Sequence, residues 1–151
     1  MPAAPDIAPG HIGLSVTDLD RSVAFYREIL DLEVVHQSAA DGRRFAFLGA
    51  GGPPFLTLWQ QSTAAYEPTP AGLHHLTFQV PTLDAVQAVE ARLRARGIPP
   101  RYDGVVPQLE GDATAALYFA DPDGIRLEIY SPTGAAGLAA PVADAPSCGL
   151  F

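Results

Sequence analysis

Apolar residues recur along this chain with two periods, and the two alternate. From His11 to Thr17 the period is two: Ile12, Leu14 and Val16 share one side, while His11, Gly13, Ser15 and Thr17 share the other. Such alternation predicts a strand with one buried face. The period then lengthens. Leu19, Val23, Tyr26 and Leu30 recur at spacings of four, three and four, which predicts a helix opening at Asp18, a residue suited to capping. Three strand-like runs follow, Leu32–Gln37, Arg43–Leu48 and Phe55–Gln60, with turns at Asp41-Gly42 and Gly51-Gly52-Pro53.

The whole order then repeats. His11-Ile-Gly-Leu-Ser-Val-Thr-Asp-Leu-Asp20 returns as His75-Leu-Thr-Phe-Gln-Val-Pro-Thr-Leu-Asp84, 64 positions later. Leu83, Val86, Val89 and Leu93 form a second helical stripe, opening at Thr82 and stopping near Gly97. The strand runs after it are Ile98–Asp103, Ala115–Ala120 and Ile125–Tyr130, with Pro122-Asp123-Gly124 as a tight turn. Leu56-Thr-Leu-Trp59 matches Leu127-Glu-Ile-Tyr130 at a spacing of 71, and the seven extra residues fit a longer loop around Pro107–Asp112. The expected fold class is α+β: two βαβββ modules, residues 8–61 and 73–132, joined by the polar stretch Gln61–Gly72. Neither module can bury a sheet face alone, so the pair is expected to form a curved, incomplete barrel around a cleft, with helices outside. Together they make one domain, 8–132. Residues 133–151 read as an irregular Ala/Gly/Pro-rich tail, whose ending Cys148-Gly-Leu-Phe151 has apolar residues with which to dock.

Composition narrows the function classes. Of 151 residues, 48% are hydrophobic and 17% charged, enough apolar material for a core and too little charge for a disordered chain. The 14 glycines and 15 prolines favour short strands and turns. All nine basic residues are arginines, and 17 acidic residues bring the net charge to −8. That balance argues against nucleic acid and against an anionic membrane surface. One cysteine, Cys148, rules out an intrachain disulfide and a Cys-based zinc site. No apolar run nears the roughly 20 residues of a membrane span, and Met-Pro-Ala-Ala-Pro-Asp does not read as a secretory signal. A cytoplasmic setting and a small-molecule partner are the expectation.

Strand parity picks out candidate chemistry. His75, Thr77 and Gln79 form a polar face opposite His74, Leu76, Phe78 and Val80, and Glu128 alternates against Leu127 and Ile129. Two histidines at equivalent repeat positions, His11 and His75, and one carboxylate, Glu128, thus fall on the side facing away from the helices. Two imidazoles and a carboxylate suit iron(II), manganese(II) or zinc(II) and leave coordination positions open. The alternative for each is an ordinary hydrogen-bonded or solvated strand residue. His74 is a helix-side residue or a support for a ligand, and His36 either lines the cleft or, as its neighbours Val34 and Val35 favour, is a surface or filler residue. Phe55, Trp59 and Tyr130 share the parity of Thr57 and Glu128; they either wall the cleft for an apolar or aromatic substrate or simply fill the barrel.

His11 through Glu28, the segment His75-Leu-Thr-Phe-Gln-Val80, and Tyr118-Phe-Ala-Asp-Pro-Asp-Gly-Ile-Arg-Leu-Glu128 resemble the vicinal oxygen chelate superfamily, over residues 8 to 132. That group includes glyoxalase I, extradiol dioxygenases, methylmalonyl-CoA epimerase, fosfomycin-modifying enzymes and bleomycin-binding proteins. The resemblance implies paired βαβββ modules and a divalent metal chelated by adjacent substrate oxygens. Iron(II) or manganese(II) is favoured, with zinc(II) or nickel(II) next. Modules pair within one chain or exchange between two, so a homodimer is compatible. The family's metal positions fall here on His11, Thr57, His75 and Glu128. Threonine at 57 leaves three ligands, closer to the extradiol and fosfomycin enzymes than to glyoxalase I. Tyr118 matches a substrate-facing tyrosine of both, either a hydrogen-bond donor beside the metal or an aromatic wall. Other features depart from the pattern: Gln108-Leu109-Glu110 stands where extradiol enzymes have an acid/base histidine, and nothing after Arg126 is basic, as a phosphonate would need. The reading that follows is a metal-dependent enzyme, foremost an extradiol-type dioxygenase. A glyoxalase-type isomerase or lyase, or a drug-binding resistance protein, are the alternatives.

Overall fold

A computed structural model describes residues 1, 3 and 5–150, with only the backbone of Leu150. It divides into two compact units, Met1–Arg27 with Asp31–Ala64, and Glu28–Leu30 with Ala65–Phe151. The first contains β1 (Ile12–Val16), most of α1 (Leu19–Leu30), β2 (Glu33–Ser38), β3 (Phe45–Gly49) and β4 (Leu56–Gln60). Its sheet runs β1-β4-β3-β2. The second contains β5 (Leu76–Gln79), α2 (Leu83–Ala95), β6 (Val106–Pro107), β7 (Ala115–Ala120) and β8 (Arg126–Ser131), ordered β5-β8-β7-β6. In both sheets the first strand pairs parallel with the last, and the other pairs are antiparallel. No tight turn can join parallel neighbours, so a helix and two antiparallel strands supply the return path. The α+β class and the βαβββ order are thus what the chain adopts, twice, with neither sheet closed on itself.

Register makes the repeat physical. Gly13 pairs with Thr57 in the first sheet, and Thr77 pairs with Glu128 in the second. His11 and His75 each stand one residue before their strand. Buried rows lie on the expected parity: Leu14, Val16, Leu56 and Leu58 in one unit, Leu76, Leu127 and Ile129 in the other. The helix ends also follow from sequence. Asp18 accepts from Arg21 N at 3.1 Å, and Thr82 accepts from Ala85 N at 3.3 Å. Gly97, at φ +71°, closes α2: Ile98 N donates to Leu93 O at 2.9 Å and Gly97 N to Arg94 O at 3.0 Å.

Two local expectations are corrected. Ile98–Asp103 is not a strand. Pro99 and Pro100 lack N–H donors, Asp103 and Gly104 turn at φ +61° and +139°, and Arg101 N donates to Tyr118 O of β7 at 2.7 Å without a strand ladder forming. The sixth strand is instead the two-residue β6. In α1 the buried stripe is Leu19, Ser22, Phe25, Tyr26 and Ile29, with Val23 and Leu30 half-buried. A serine inside the stripe hides its phase from a count of apolar residues. The tail is irregular as expected, apart from a 3₁₀ turn at Ser147–Leu150; Phe151 lies outside the described residues. Among the described residues no helix is long and apolar enough to cross a membrane.

The β7–β8 hairpin carries most of the chemistry described below, and Asp121 holds its turn. The buried carboxylate accepts from Asp123 N and Ile125 N, both at 2.9 Å. Asp121→Ala strands two backbone donors and is expected to cost about 3 kcal/mol, whereas Asp121→Asn keeps the acceptor and costs about 1 kcal/mol or less. Urea unfolding of the two variants checks this; equal midpoints would show that the turn does not depend on that oxygen.

Candidate metal centre

The second unit gathers a polar cluster around Glu128. This glutamate lies mid-strand in β8, directly opposite Tyr118 of β7 and Thr77 of β5. Its side chain is almost wholly buried, at 1% exposure, yet it is well supplied with donors. Thr77 Oγ1 donates to Oε2 at 2.9 Å. Tyr118 OH donates to Oε1 at 3.0 Å, and the Gln108 side-chain amide donates to the same oxygen. Three donors on one buried carboxylate fix its plane.

His75 adds a fourth neighbour, its Nε2 standing 3.5 Å from Oε2. Burial holds this imidazole below its usual pKa; the Glu128 carboxylate pulls the other way and His74 reinforces the lowering. The ring is therefore neutral near pH 7, with a lone pair available to a metal. His74 Nδ1 lies 2.8 Å from His75 Nδ1, so one proton is shared between them. When His75 Nε2 carries the lone pair, its Nδ1–H is the donor to His74 Nδ1.

The donor set fits a divalent ion. Oε1 is occupied by two donors and Oε2 by one, which leaves Oε2 the better ligand. Two atoms about 2.1 Å from one ion lie about 3.0 Å apart at a right angle and about 3.4 Å at the tetrahedral angle. The 3.5 Å between His75 Nε2 and Glu128 Oε2 suits adjacent positions on such an ion. Among the described residues no three His, Cys, Asp or Glu side chains stand together. The structure brings His75 and Glu128 together, while His11 belongs to the first unit, exposed at the foot of β1.

The other sequence-singled residues fall as follows. Tyr118 is buried, and its phenol is spent on Glu128; burial and that carboxylate both push its pKa well up, so it remains a protonated donor. Tyr130 is half-buried and donates to Gln79 Oε1 at 2.9 Å. In the first unit, buried Thr57 accepts from Trp59 Nε1 at 3.3 Å, and half-buried Phe55 precedes β4. Trp59 packs 4.8 Å from Phe45 and 6.2 Å from Phe47, ring centre to ring centre, and borders a shallow cavity of about 310 Å³ with Gly13, Leu14, Ser15 and Gln61. His36 joins this shelf against Phe45 and Phe47 at 5.5 and 5.9 Å. A bulge between Val34 and His36 shifts the register so that His36 pairs with Phe47 rather than Ala46. Parity alone gives no sign of that bulge. Sequence reasoning also missed Gln108, whose loop position was visible but not its reach to Glu128.

A family model for the glyoxalase/bleomycin resistance protein/dioxygenase superfamily matches residues 8–129. The chain belongs to that superfamily. Within it, the chain is 31% identical over 129 residues to biphenyl-2,3-diol 1,2-dioxygenase 3 of Rhodococcus globerulus, covering 79% of this chain and 60% of the relative. It is 29% identical over 130 residues to glutathione transferase FosA of Serratia marcescens, covering 86% and 84%. A superfamily domain structure from Frankia sp. EAN1pec matches with a TM-score of 0.68 at 29% identity, over 85% of this chain and 98% of that one. The chain spans 40% of the catechol-2,3-dioxygenase of Bacillus subtilis, which it matches at 26% identity.

One consequence of the His75 environment is testable without a substrate. A histidine whose folded pKa is depressed contributes stability that is fully present above its unfolded value of about 6.5 and is lost as pH falls toward the folded value. Metal-free protein is expected to lose unfolding free energy more steeply as pH falls below about 6.5 than His75→Gln does. Parallel pH dependences for the two proteins, measured by urea unfolding, would refute the assignment.

Proposed function

We propose that this superfamily member binds one divalent metal ion, iron(II) or manganese(II) foremost, through His75, Glu128 and His11, and acts on a small molecule that chelates the ion through two vicinal oxygens. The observation that supports it most is the buried Glu128 carboxylate, oriented by three donors and set 3.5 Å from a neutral imidazole. A carboxylate at 1% exposure, its plane fixed by three donors, is a ligand already taken out of water and oriented. His11 enters as third ligand on the strength of the repeat, since it precedes β1 as His75 precedes β5.

The reaction proposed is ring-cleaving oxygenation of a catechol-like compound, with dioxygen as co-substrate. The ion, when bound, supplies the point of chelation and the activation of both reactants. The chain's own residues do the rest. Thr77, Tyr118 and Gln108 hold the Glu128 plane, and His74 Nδ1 accepts from His75 Nδ1. In the first unit Phe45, Phe47 and Trp59 form a cluster of tilted rings with apolar surface of the kind an aromatic ring packs against. Similarity to a catechol-2,3-dioxygenase and a biphenyl-2,3-diol 1,2-dioxygenase supports this reading, and similarity to a manganese-dependent 2,3-dihydroxybiphenyl 1,2-dioxygenase of Geobacillus genomosp. 3 supports the general metal-dependent one.

Gln108 favours a second reading. It donates to Glu128 where a titratable acid/base group would serve oxygenation, which suits a glyoxalase-type isomerase or lyase that needs no dioxygen. Metal analysis of anaerobically purified protein, followed by an oxygen-electrode assay on a catechol panel, separates them. One ion per chain with oxygen uptake and a coloured ring-fission product supports the dioxygenase. Metal without oxygen uptake shifts the assignment to isomerase or lyase. No retained or rebound metal leaves the drug-binding reading.

A further inference from the structure

The chain after β8 shows no apolar period that would anchor it, yet it is tied down along its length. Ala135 is buried and its N–H donates to Ala113 O at 3.0 Å, and Ala140 N donates to Glu110 Oε2 at 2.7 Å. The tightest anchor is Ser147, which is fully buried. Its Oγ donates to Pro107 O at 2.7 Å, its N–H donates to Gln108 O at 2.8 Å, and its own carbonyl accepts from Tyr102 OH at 2.6 Å.

All three bonds end within one step of the Glu128 carboxylate. Gln108 donates its side-chain amide to Oε1. Tyr102 sets its ring edge against Tyr118, centroids 5.4 Å apart at 87°, and Tyr118 OH donates to the same Oε1. The sheet itself holds this segment weakly. β6 is two residues long, Pro107 has no N–H to give, and the Gln108 N–H reaches Thr114 O at 3.3 Å. Serine thus supplies short bonds to the two carbonyls, 107 and 108, that place the Gln108 side chain.

We propose that Ser147 is a positioning residue: the C-terminal segment clamps Gln108 and Tyr102, and through them fixes Glu128 with Oε1 held and Oε2 presented to the ion. The functional consequence rests on the metal reading above; the clamp itself does not. Groups that orient a metal ligand without touching the metal typically govern 10–100-fold in affinity. Loss of either tie lets the carboxylate turn about its last bond.

The test uses the full chain and four variants, Ser147→Ala, Ser147→Ala with Tyr102→Phe, Gln108→Ala, and Ser147→Ala with Gln108→Ala. Manganese(II) affinity is measured by calorimetry. The Gln108 side-chain amide proton is followed by nitrogen-15 NMR in metal-free protein, and thermal melts confirm folding. Ser147→Ala is expected to move the Gln108 amide proton upfield and to weaken manganese(II) binding about 3–10-fold. Ser147→Ala with Tyr102→Phe is expected to weaken it about 10–100-fold. Adding Ser147→Ala to Gln108→Ala is expected to cost less than it does alone, because both act through one bond. A folded Ser147→Ala protein with the amide resonance unmoved overturns the clamp, as does full additivity of its effect with Gln108→Ala. If the unmodified chain takes up no manganese(II), the metal reading fails, and the amide resonance alone decides the clamp.

Discussion

Glu128→Gln is expected to abolish divalent-metal binding and any metal-dependent turnover while the protein stays folded. The two effects separate because the carboxylate meets the fold and the ion with different properties. To the fold it offers acceptors, and glutamine keeps one oxygen of the same shape for Tyr118 and Gln108. The new amide nitrogen would face Thr77, whose hydroxyl can turn from donor to acceptor. Removing a charge that is 99% buried also relieves desolvation, so stability should change by about 1 kcal/mol or less in either direction. To the ion the same change removes the anionic ligand and reverses the polarity of one of its two terminal atoms. A loss of affinity beyond 100-fold is expected, larger than the 10–100-fold typical of groups that merely support a ligand. Calorimetry with manganese(II) and a thermal melt check both halves. Unchanged affinity would end the assignment of Glu128 as a ligand, whereas unfolding would show that the carboxylate is structural first.

That prediction was half visible in the sequence, and the reason is geometric. Strand parity and the repeat are local properties, so they put His75 and Thr77 on one polar face and Glu128 on the side away from the helices, and the register of β5 with β8 pairs Thr77 with Glu128. The motif singled out Tyr118 and Glu128 ten positions apart, and the register of the β7–β8 hairpin sets them directly opposite each other. What parity does not reveal is reach across loops. Gln108 lies 20 positions from Glu128, and its amide arrives only because Ser147 pins the backbone beside it. The tail carries no period, so nothing in its composition pointed to that role. The ring neighbours of exposed His36 were hidden for another reason: a one-residue bulge inverts parity, and nothing in Val34-Val35-His36 announces it. The failed strand at Ile98–Asp103 is the reverse case, in which β-favouring residues were outvoted by two prolines with no N–H to pair.

Tyr118→Phe distinguishes a group that holds a ligand from one that meets the substrate. The phenol is fully buried in β7, its oxygen 3.0 Å from Glu128 Oε1, and its proton is held firmly there because burial and the carboxylate both oppose ionisation. A hydroxyl so engaged sets the carboxylate rather than the reacting molecule. Phenylalanine fills the same volume, so no cavity opens. The buried charge, however, loses one of its three donors, which is expected to cost about 1.5–3 kcal/mol of stability. Manganese(II) affinity should fall about 10–100-fold, while kcat at saturating metal should stay within about threefold. A kcat loss of 100-fold or more at saturating metal, the size expected when a donor to the reacting oxygens is removed, would place the phenol on the substrate. The pH profile adds a second discriminant. With the phenol ionising far above the working range, Tyr118→Phe should leave the alkaline limb of the kcat profile where it was, so displacement of that limb would show that the tyrosine exchanges its proton during turnover.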